Sequence, residues 1–304
     1  MSIQDSELIL NPDGSIYHLH LKPQDIATTI ITVGDPARVD AVAAYFDEVR
    51  FTTQKREFKT TTGFYKGLEI SVISTGIGTD NIDIVLNELD ALVNVDLKTR
   101  TVLPTHTALD IVRIGTSGAI QTDIAVDTFV LSQMAIGLDA LLHFYQSEHI
   151  QHKTLQQDFV SHMDWAMVKS EPYIVGCDYA FAKAFTDPKM ILGCTATNIG
   201  FYGPQGRQLR LQVSDQNMND KLQDFKLKLA SDTSSSDKST LRITNLEMET
   251  AGIYGLAKLL GHRAVSLNVI LANRVHKTFS SDPKAAIDQL IGFALDRLVT
   301  HSEQ

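Results

Sequence analysis

Short apolar segments alternate with amphipathic helical patterns along most of the chain, and this alternation limits the folds that it can adopt. Residues 28–33 form a β-branched run that ends at Gly34, which is typical of a strand buried on both faces. Residues 81–95 place apolar side chains at the i, i+3, i+4 and i+7 positions of one helix face. This alternation predicts a single α/β domain over residues 1–304, with helices packed outside a mixed sheet.

The other predicted elements continue the pattern. Strands are expected at residues 110–115, 128–135, 189–199 and 264–272, and a hairpin turn at Tyr65, Lys66 and Gly67. Helices are expected at residues 38–46, 246–260 and 287–298. The polar stretches 98–107 and 231–239 are expected to be surface loops, the second because it has no apolar face to bury.

The charge balance limits the partners that the chain can bind. Its 27 Lys and Arg against 36 Asp and Glu give a net charge of −9, which disfavours general binding to nucleic acid. No apolar stretch approaches the ~18 residues that a membrane span needs. The first ten residues lack the pattern of a secretory signal, and Cys177 and Cys194 are expected to be reduced. We therefore expect a cytoplasmic protein in which any anionic ligand is held by a local group of arginines.

Four motifs at predicted strand ends combine glycine, arginine and hydroxyl residues. They are GDPAR (34–38), KREF around Arg56, STGIG (74–78) and RIGTSG (113–118). Glycine lets a ligand approach the backbone, arginine offers a planar fork of donors to phosphate, and a hydroxyl adds a neutral donor. Each motif alone is more simply explained as a turn with solvated arginines. Four of them at strand ends favour an oxyanion pocket, because ligands of α/β folds gather there.

The familiar nucleotide-binding loops are missing from the sequence. No GxxxxGK[ST] motif occurs, and the segment after STGIG lacks the third glycine of a dinucleotide fingerprint. The sequence therefore does not predict a kinase-type site or a nicotinamide cofactor.

Eight motifs, in family order over residues 17–275, resemble those of the nucleoside phosphorylase superfamily and, within it, of the uridine phosphorylases. They are YHLHL (17–21), VGDPARV (33–39), REF (56–58), STGIGTDNIDIVLNEL (74–89), RIGTSGAIQ (113–121), FYGPQGR (201–207), EMETAGIYGLA (247–257) and NR (273–274). The resemblance implies a three-layer α/β/α fold around a distorted mixed sheet. It also implies phosphorolysis, in which a nucleoside and inorganic phosphate give free base and pentose 1-phosphate.

The resemblance also implies a phosphate site. Its residues are Gly34, Arg38, Arg113 and Thr116, with Arg56 contributed by a neighbouring subunit. Phosphate is itself the nucleophile, so it needs charge neutralisation and orientation more than activation. The site then requires inorganic phosphate as co-substrate and no organic cofactor or covalent nucleophile.

Ribose is expected to bind Met248 and Glu249, with His18 reaching its 5′-hydroxyl from a neighbouring subunit. The carboxylate of Glu249 can accept sugar hydroxyls and favour the positive charge that develops as the glycosidic bond breaks. The alternative for Glu247 and Glu249 is a charged first helical turn. The alternative for His18 is one more polar side chain near a terminus.

The base site implied by the resemblance favours a pyrimidine. Its residues are Ser117, Gly118, Phe201, Gln205 and Arg207. The amide of Gln205 offers a donor and an acceptor to the edge of uracil, Arg207 can stabilise charge on the departing base, and Phe201 can stack. Arg274 joins Arg113, Arg207 and Glu249 in the expected catalytic group. Purine-specific relatives carry an Asp near the strand end that here spans 271–274, where this chain has none.

Some relatives hold a monovalent cation such as K⁺ between subunits. The matching residues here are Glu57, the carbonyl of Ile77 and Asn81, which replaces a hydroxyl residue. Because His18 and Arg56 would complete a neighbour's site, the resemblance implies a homodimer or a hexamer. His143, His149 and His152 lack the motif of a zinc site and are interpreted as structural or solvated.

Three alternative functions remain open for this chain. They are a purine nucleoside phosphorylase, a nucleosidase, and a non-catalytic nucleoside-binding regulator. A nucleosidase has no phosphate for Arg38, Arg56 and Arg113 to bind. A regulator is expected to have lost Glu249 or one of these arginines.

Overall fold

A computed structural model describes residues 2–229 and 240–303. The strands are β1 (Thr29–Val33), β2 (Glu48–Lys55), β3 (Phe58–Tyr65), β4 (Leu68–Ser74), β5 (Val95–Asp96), β6 (Thr101–Val102), β7 (Asp110–Ala119), β8 (Phe129–Gly137), β9 (Tyr173–Gly176), β10 (Met190–Thr197), β11 (Lys226–Lys228), β12 (Thr240–Glu247), β13 (Arg263–Asn273) and β14 (Thr278–Phe279). The α-helices are α1 (Pro36–Ala43), α2 (Thr79–Asn94), α3 (Lys153–Met163), α4 (Tyr179–Ala182), α5 (Met218–Asp224), α6 (Thr250–Leu259) and α7 (Pro283–Ser302).

A mixed sheet of 12 strands organises the described part of the chain. Strands β4, β1, β7 and β13 run parallel to their neighbours in that order, as do β8, β10 and β12. The two groups join where β13 pairs antiparallel with β8, and β12 also pairs antiparallel with β7. Register shifts interrupt β10 and β13. The sheet is therefore both mixed and distorted, which confirms the predicted fold class.

Helices bury their apolar sides against this sheet and against one another. Helix α2 packs against α6, and α7 packs against β7 and β13. The buried face of α2 carries Ile82, Val85, Leu86, Leu89 and Leu92, the pattern that predicted the helix. The central parallel strands are thereby buried, and their carboxyl ends are held at fixed positions.

Most predicted elements are present, with one clear error. Helix α6 begins at Thr250, whereas the sequence predicted a helix from residue 246. Residues up to Glu247 complete β12, a strand that was not predicted because it buries polar side chains such as Thr244 and Asn245. The interpretation of Glu247 and Glu249 as a first helical turn is therefore wrong: Glu247 ends a strand, and Glu249 is the N-cap residue.

One smaller difference concerns a predicted loop, and the prediction for the other loop is not tested. The stretch 98–107 contains β6, which pairs with β5. The stretch 231–239 lies outside the described residues. Within the described part of the chain, no helix is both long and apolar enough to cross a bilayer.

Candidate active site

A cavity of about 610 Å³ opens where the ends of β1, β4, β7, β12 and β13 meet. The predicted site residues that line it are Gly34, Arg38, Ile77, Arg113, Thr116, Ser117, Gly118, Phe201, Gln205, Arg207, Met248 and Glu249. Most of the residues expected to bind phosphate, sugar and base are thus brought together in one space.

Two glycine turns form one wall of the cavity. Gly34 follows β1, and a Cβ on it would lie 3.6 Å from the carbonyl oxygen of Gly76 in the turn after β4. Gly76 and Gly78 have φ values of 72° and 99°, in the left-handed region that favours glycine. This conformation directs the N–H of Gly78 to Oε1 of Glu249, at 2.8 Å. The STGIG motif therefore places a backbone donor on the candidate ribose carboxylate.

Arg113 lies buried beneath the cavity and is held by three side chains. Its Nη1 donates to Oδ1 of Asn268 at 2.8 Å, and its Nη2 donates to Oε2 of Glu249 at 2.6 Å. Oε2 of Glu247 is 3.1 Å from the same Nη2. The side chain passes directly over Gly115, where a Cβ would overlap the guanidinium group. The first glycine of RIGTSG is therefore needed to make room for the arginine.

The charges of the cavity shift one another's pKa values. Burial alone would lower the pKa of Arg113, but the carboxylates of Glu247 and Glu249 outweigh burial and raise it. Burial raises the pKa of Glu249, against the opposing effect of Arg113. The pKa of Arg38 is lowered by burial and then by the positive charge of Arg113. A bound anion would reduce this repulsion between the two arginines.

Another part of the cavity lining comes from the segment 201–207. Gln205 is buried there, and its Oε1 accepts a hydrogen bond from Nη1 of Arg207. The same Nη1 donates to the carbonyl oxygen of Phe201 at 2.7 Å, and the Arg207 guanidinium lies 3.8 Å from the Phe201 ring centroid. Burial and the nearby charge of Arg274 lower the pKa of Arg207 to about 10. Gln205 thus keeps its amide donor and one remaining lone pair for a ligand.

Three of the residues expected to act on phosphate, sugar or base do not line the cavity in the described chain. Arg274 lies beside it, since a Cβ on Gly118 would be 3.5 Å from its Cγ. Arg56 is exposed in the two-residue turn between β2 and β3, with a φ of 55°. His18 is turned toward α2, where its Nδ1 is 2.6 Å from Oε1 of Glu88.

The residues matched to a cation site approach one another around Gly76. A Cβ on Gly76 would overlap Nδ2 of Asn81 and would lie 3.1 Å from Cγ of Glu57. Ile77 follows and is 67% exposed. A carboxylate, a backbone carbonyl and an amide oxygen are ligands that hard cations accept, so the donor set fits such an ion.

A second group of ligand-type residues, Asp90, His106 and His262, was not found from the sequence. Nδ1 of His262 accepts the N–H of Leu109 at 3.2 Å, so its proton is on Nε2, which faces Oδ1 of Asp90 at 3.3 Å. A metal would need the lone pair on Nε2. In the described chain this Nε2 forms no hydrogen bond, and with its proton in place it has no lone pair to offer, so the group is not assigned as a metal site.

The cavity-lining residues that sequence reasoning did not assign to the site include Glu247 and Phe279. Glu247 was noted only for its charge, although its spacing of two from Glu249 could have placed it on a strand beside the site. Phe279, on the short strand β14, is 65% exposed and had no signal in the sequence.

Comparison with known proteins gives consistent matches along the chain. The model of the phosphorylase superfamily matches residues 28–298. A uridine phosphorylase of Thermococcus kodakarensis is 30% identical over 267 residues, which is 88% of this chain and 80% of the relative. A DeoD-type purine nucleoside phosphorylase of Listeria welshimeri is 36% identical over 119 residues, which is 39% of this chain and 46% of the relative.

A solved structure matches nearly the whole chain. The nucleoside phosphorylase of Trypanosoma brucei, which shows uridine phosphorylase activity, superposes with a TM-score of 0.85 at 30% identity. The superposition covers 96% of this chain and 99% of the other.

Proposed function

Because the chain belongs to the phosphorylase superfamily, we propose that it is a uridine phosphorylase, a pentosyltransferase that converts uridine and phosphate to uracil and ribose 1-phosphate. The observation that carries this proposal is the buried pair of Arg113 and Glu249, at 2.6 Å, in a cavity that Arg38 and Gln205 also line. One cavity thus offers groups for an anion, a sugar and a base.

The arginines bind and orient the nucleophile in the proposed reaction. Phosphate lies against the Gly34 turn and Thr116, where Arg38 and Arg113 neutralise its charge. A phosphate oxygen forms a bond to C1′ of the ribose while the bond from C1′ to N1 of the base breaks. Positive charge that develops on the sugar faces the carboxylate of Glu249, and Met248 packs under the ring.

The base leaves with the electron pair of the broken bond. Arg207 stabilises the resulting negative charge, with Arg274 adding a second positive charge nearby, and water protonates the departing uracil. Gln205 hydrogen-bonds the base edge, Ser117 and Gly118 border it, and Phe201 offers the ring face that Arg207 does not cover. Deoxyuridine, which retains the same base edge, is included in the proposal.

The proposed enzyme uses phosphate as co-substrate and no organic cofactor. Glu57, the Ile77 carbonyl and Asn81 would hold a monovalent cation such as K⁺, which would supply a fixed positive charge beside the Gly76 turn. We propose that the protein acts in the cytoplasm on small molecules, without nucleic-acid or membrane partners.

A homo-oligomer, as a dimer or a hexamer, is part of the proposal. Arg56 is exposed and outside the lining of its own chain's cavity, and His18 also lies outside that lining. A second copy could bring Arg56 to the phosphate and His18 to the 5′-hydroxyl. Each cavity would then be completed by its neighbour.

A substrate panel tests the proposed function. The protein is incubated with uridine, thymidine or inosine, with and without phosphate, and free base and pentose 1-phosphate are measured. We expect uracil and ribose 1-phosphate from uridine only when phosphate is present. Uracil release without phosphate would instead identify a nucleosidase, and cleavage of none of the nucleosides would favour a regulator.

A purine nucleoside phosphorylase is the second candidate, since a purine-specific relative matches part of the chain. The residues at 271–274 favour the pyrimidine, because they include no Asp to protonate a purine N7. Cleavage of inosine without cleavage of uridine would make purine nucleoside phosphorylase the better-supported function.

A further inference from the structure

The carboxylate of Glu247 lies next to the Arg113–Glu249 pair, and the residue also lines the cavity. Glu247 is only 4% exposed, and its Oε2 accepts the backbone N–H groups of Glu249 and Thr250, each at 2.9 Å. The same oxygen is 3.1 Å from Nη2 of Arg113. Its other oxygen, Oε1, accepts the hydroxyl of Thr197 at 2.6 Å. Glu247 thus contacts both members of the pair, one through its side chain and one through its backbone.

Glu247 also fixes the start of α6, where Glu249 is located. The first N–H groups of a helix have no partner inside the helix. Here Glu247 accepts two N–H groups at this end, and Oγ1 of Thr197 accepts the N–H of Ala251 at 2.9 Å. The N-cap residue Glu249 has no capping hydrogen bond from its own side chain, which is therefore free to face the cavity.

The protein contacts of Glu247 leave it little capacity for substrate. Oε2 faces three donors and Oε1 faces a fourth, from strands β7 and β10 and from the α6 terminus. Glu249, in contrast, is the carboxylate that must share its oxygens with sugar hydroxyls when a nucleoside binds. At that moment Glu247 remains as the anionic partner of Arg113.

We propose that Glu247 is a positioning residue that holds Arg113 and Glu249 in the arrangement needed for reaction. This inference rests on the proposed function of the cavity. In this role Glu247 does not contact substrate. It places Arg113 and Glu249, which do.

The variant E247Q separates charge from shape. An amide oxygen can still accept the N–H groups of Glu249 and Thr250, so the helix start and the fold are expected to persist. The negative charge next to Arg113 is lost. The matched control is D110N, which makes the same change in the Asp110–Arg263 pair, three residues before Arg113 on β7.

Steady-state kinetics on purified E247Q, D110N and wild type give the main readout. We expect kcat of E247Q to fall roughly 10²-fold with little change in the KM for nucleoside, because the affected groups act on the transition state. D110N should keep wild-type kcat. The melting temperatures of all three proteins show whether E247Q is folded.

The pH profile supplies a readout that a purely structural role would not move. The charged and titratable groups that face the two glutamates are Arg113 from β7, Arg38 from α1, Tyr173 from β9 and Tyr254 from α6. The charge of Glu247 contributes to the raised pKa of Glu249. Removing it should shift the acid limb of kcat/KM to lower pH.

The outcomes distinguish this inference from the proposed function. If the wild type cleaves no nucleoside, both the proposed function and the role of Glu247 are wrong. If the wild type is active and E247Q is equally active, the proposed function stands and only the role of Glu247 is wrong. A loss of kcat that merely follows a loss of folded protein, with an unshifted acid limb, also overturns it.

Discussion

At the scale of single residues, the absent side chain of Gly115 determines where Arg113 can lie. The Arg113 guanidinium occupies the position that a Cβ of residue 115 would take. Strand β7 is paired with β1 on one side and β13 on the other, so the flexible side chain is the part that must move. The position of Arg113, the main candidate phosphate ligand, thus depends on Gly115, two residues later in the sequence.

The variant G115A tests this placement. We expect phosphorolysis to fall about 10²- to 10³-fold, as for loss of one preorganised donor to a transition state, measured as kcat/KM for uridine and phosphate. The control is G292A in α7, where the added Cβ meets only Tyr45 at ordinary contact distances. It should keep full activity and gain about 0.5–1 kcal/mol of stability. Wild-type activity of G115A would show that Arg113 does not act from its observed position.

A second residue-scale prediction concerns Glu249 and pH. Its ionised carboxylate is the proposed acceptor of the sugar hydroxyls, and burial raises its pKa above the usual value of 4.5, with Arg113 opposing and Glu247 adding to the shift. A raised pKa means that the active ionised form is lost at a higher pH on acidification. We expect kcat/KM to decline on the acid side above pH 4.5.

Variant E249Q is the control for the pH profile. It should be nearly inactive and show no such limb, because an amide does not ionise. An acid limb that persists unchanged in E249Q would assign the titration to another group.

The candidate site could be predicted to different extents from the sequence. Motif glycines and arginines predicted the wall at Gly34 and the buried Arg113, because their residue types are suited to anions. Nothing in the sequence indicated that Arg207 would cover Phe201 and occupy an oxygen of Gln205. These contacts depend on how the loop 201–207 folds back on itself. The chemical roles of the candidate site residues stay a prediction.

At the scale of elements, helix α2 was predictable, whereas strand β12 and the amphipathic helix α3 were not predicted. Helix α2 was predicted because its periodic apolar face does not depend on distant partners. Strand β12 was missed because Thr244, Asn245 and Glu247 are buried against hydrogen-bonding side chains of other strands, such as those of Thr195 and Thr197. Such a strand resembles a surface segment until its neighbours are known.

Helix α2 also anchors the N-terminal segment through Glu88. The carboxylate of Glu88 accepts the N–H of His18 at 3.0 Å and that of Leu19 at 2.8 Å, besides its contact with the His18 ring. We expect E88A to destabilise the protein by about 1–3 kcal/mol, because partly buried N–H groups lose their acceptor. Denaturant unfolding measures this loss.

Hydrogen exchange shows whether the loss is local. The amides of His18 and Leu19 should exchange faster in E88A. The variant E48A, on exposed strand β2, should change stability by less than about 0.5 kcal/mol. Unchanged protection of the two amides in E88A would mean that apolar packing of Leu19 and Leu21 alone holds the segment.

At the scale of the whole molecule, the strand order was not predictable from local patterns. The sequence indicated a mixed sheet, but the approach of β12 to both β10 and β7 is set by contacts between distant segments. That approach brings Glu249 to Arg113, which is 136 residues away in the chain. The cavity is therefore a product of the complete sheet and not of any one motif.

The same cavity lacks Arg56 and His18, so a shared site is a property that only the assembly can test. In an oligomer whose neighbours exchange these residues, a chain with R56A still offers Arg113, and a chain with R113A still offers Arg56. We expect each variant alone to be nearly inactive. Co-expression of the two should restore about a quarter of the wild-type activity, since half of the random pairs are mixed and each has one intact site.

The control for this experiment pairs R38A with R113A. Both arginines line the cavity of their own chain, so no combination of these two variants gives an intact site, and co-expression should restore nothing. Size-exclusion chromatography of the co-expressed proteins shows that mixed oligomers form. Mixed oligomers of R56A and R113A that remain inactive would mean that Arg56 does not complete a neighbour's site, whereas an active R56A alone would mean that phosphate binding does not need it.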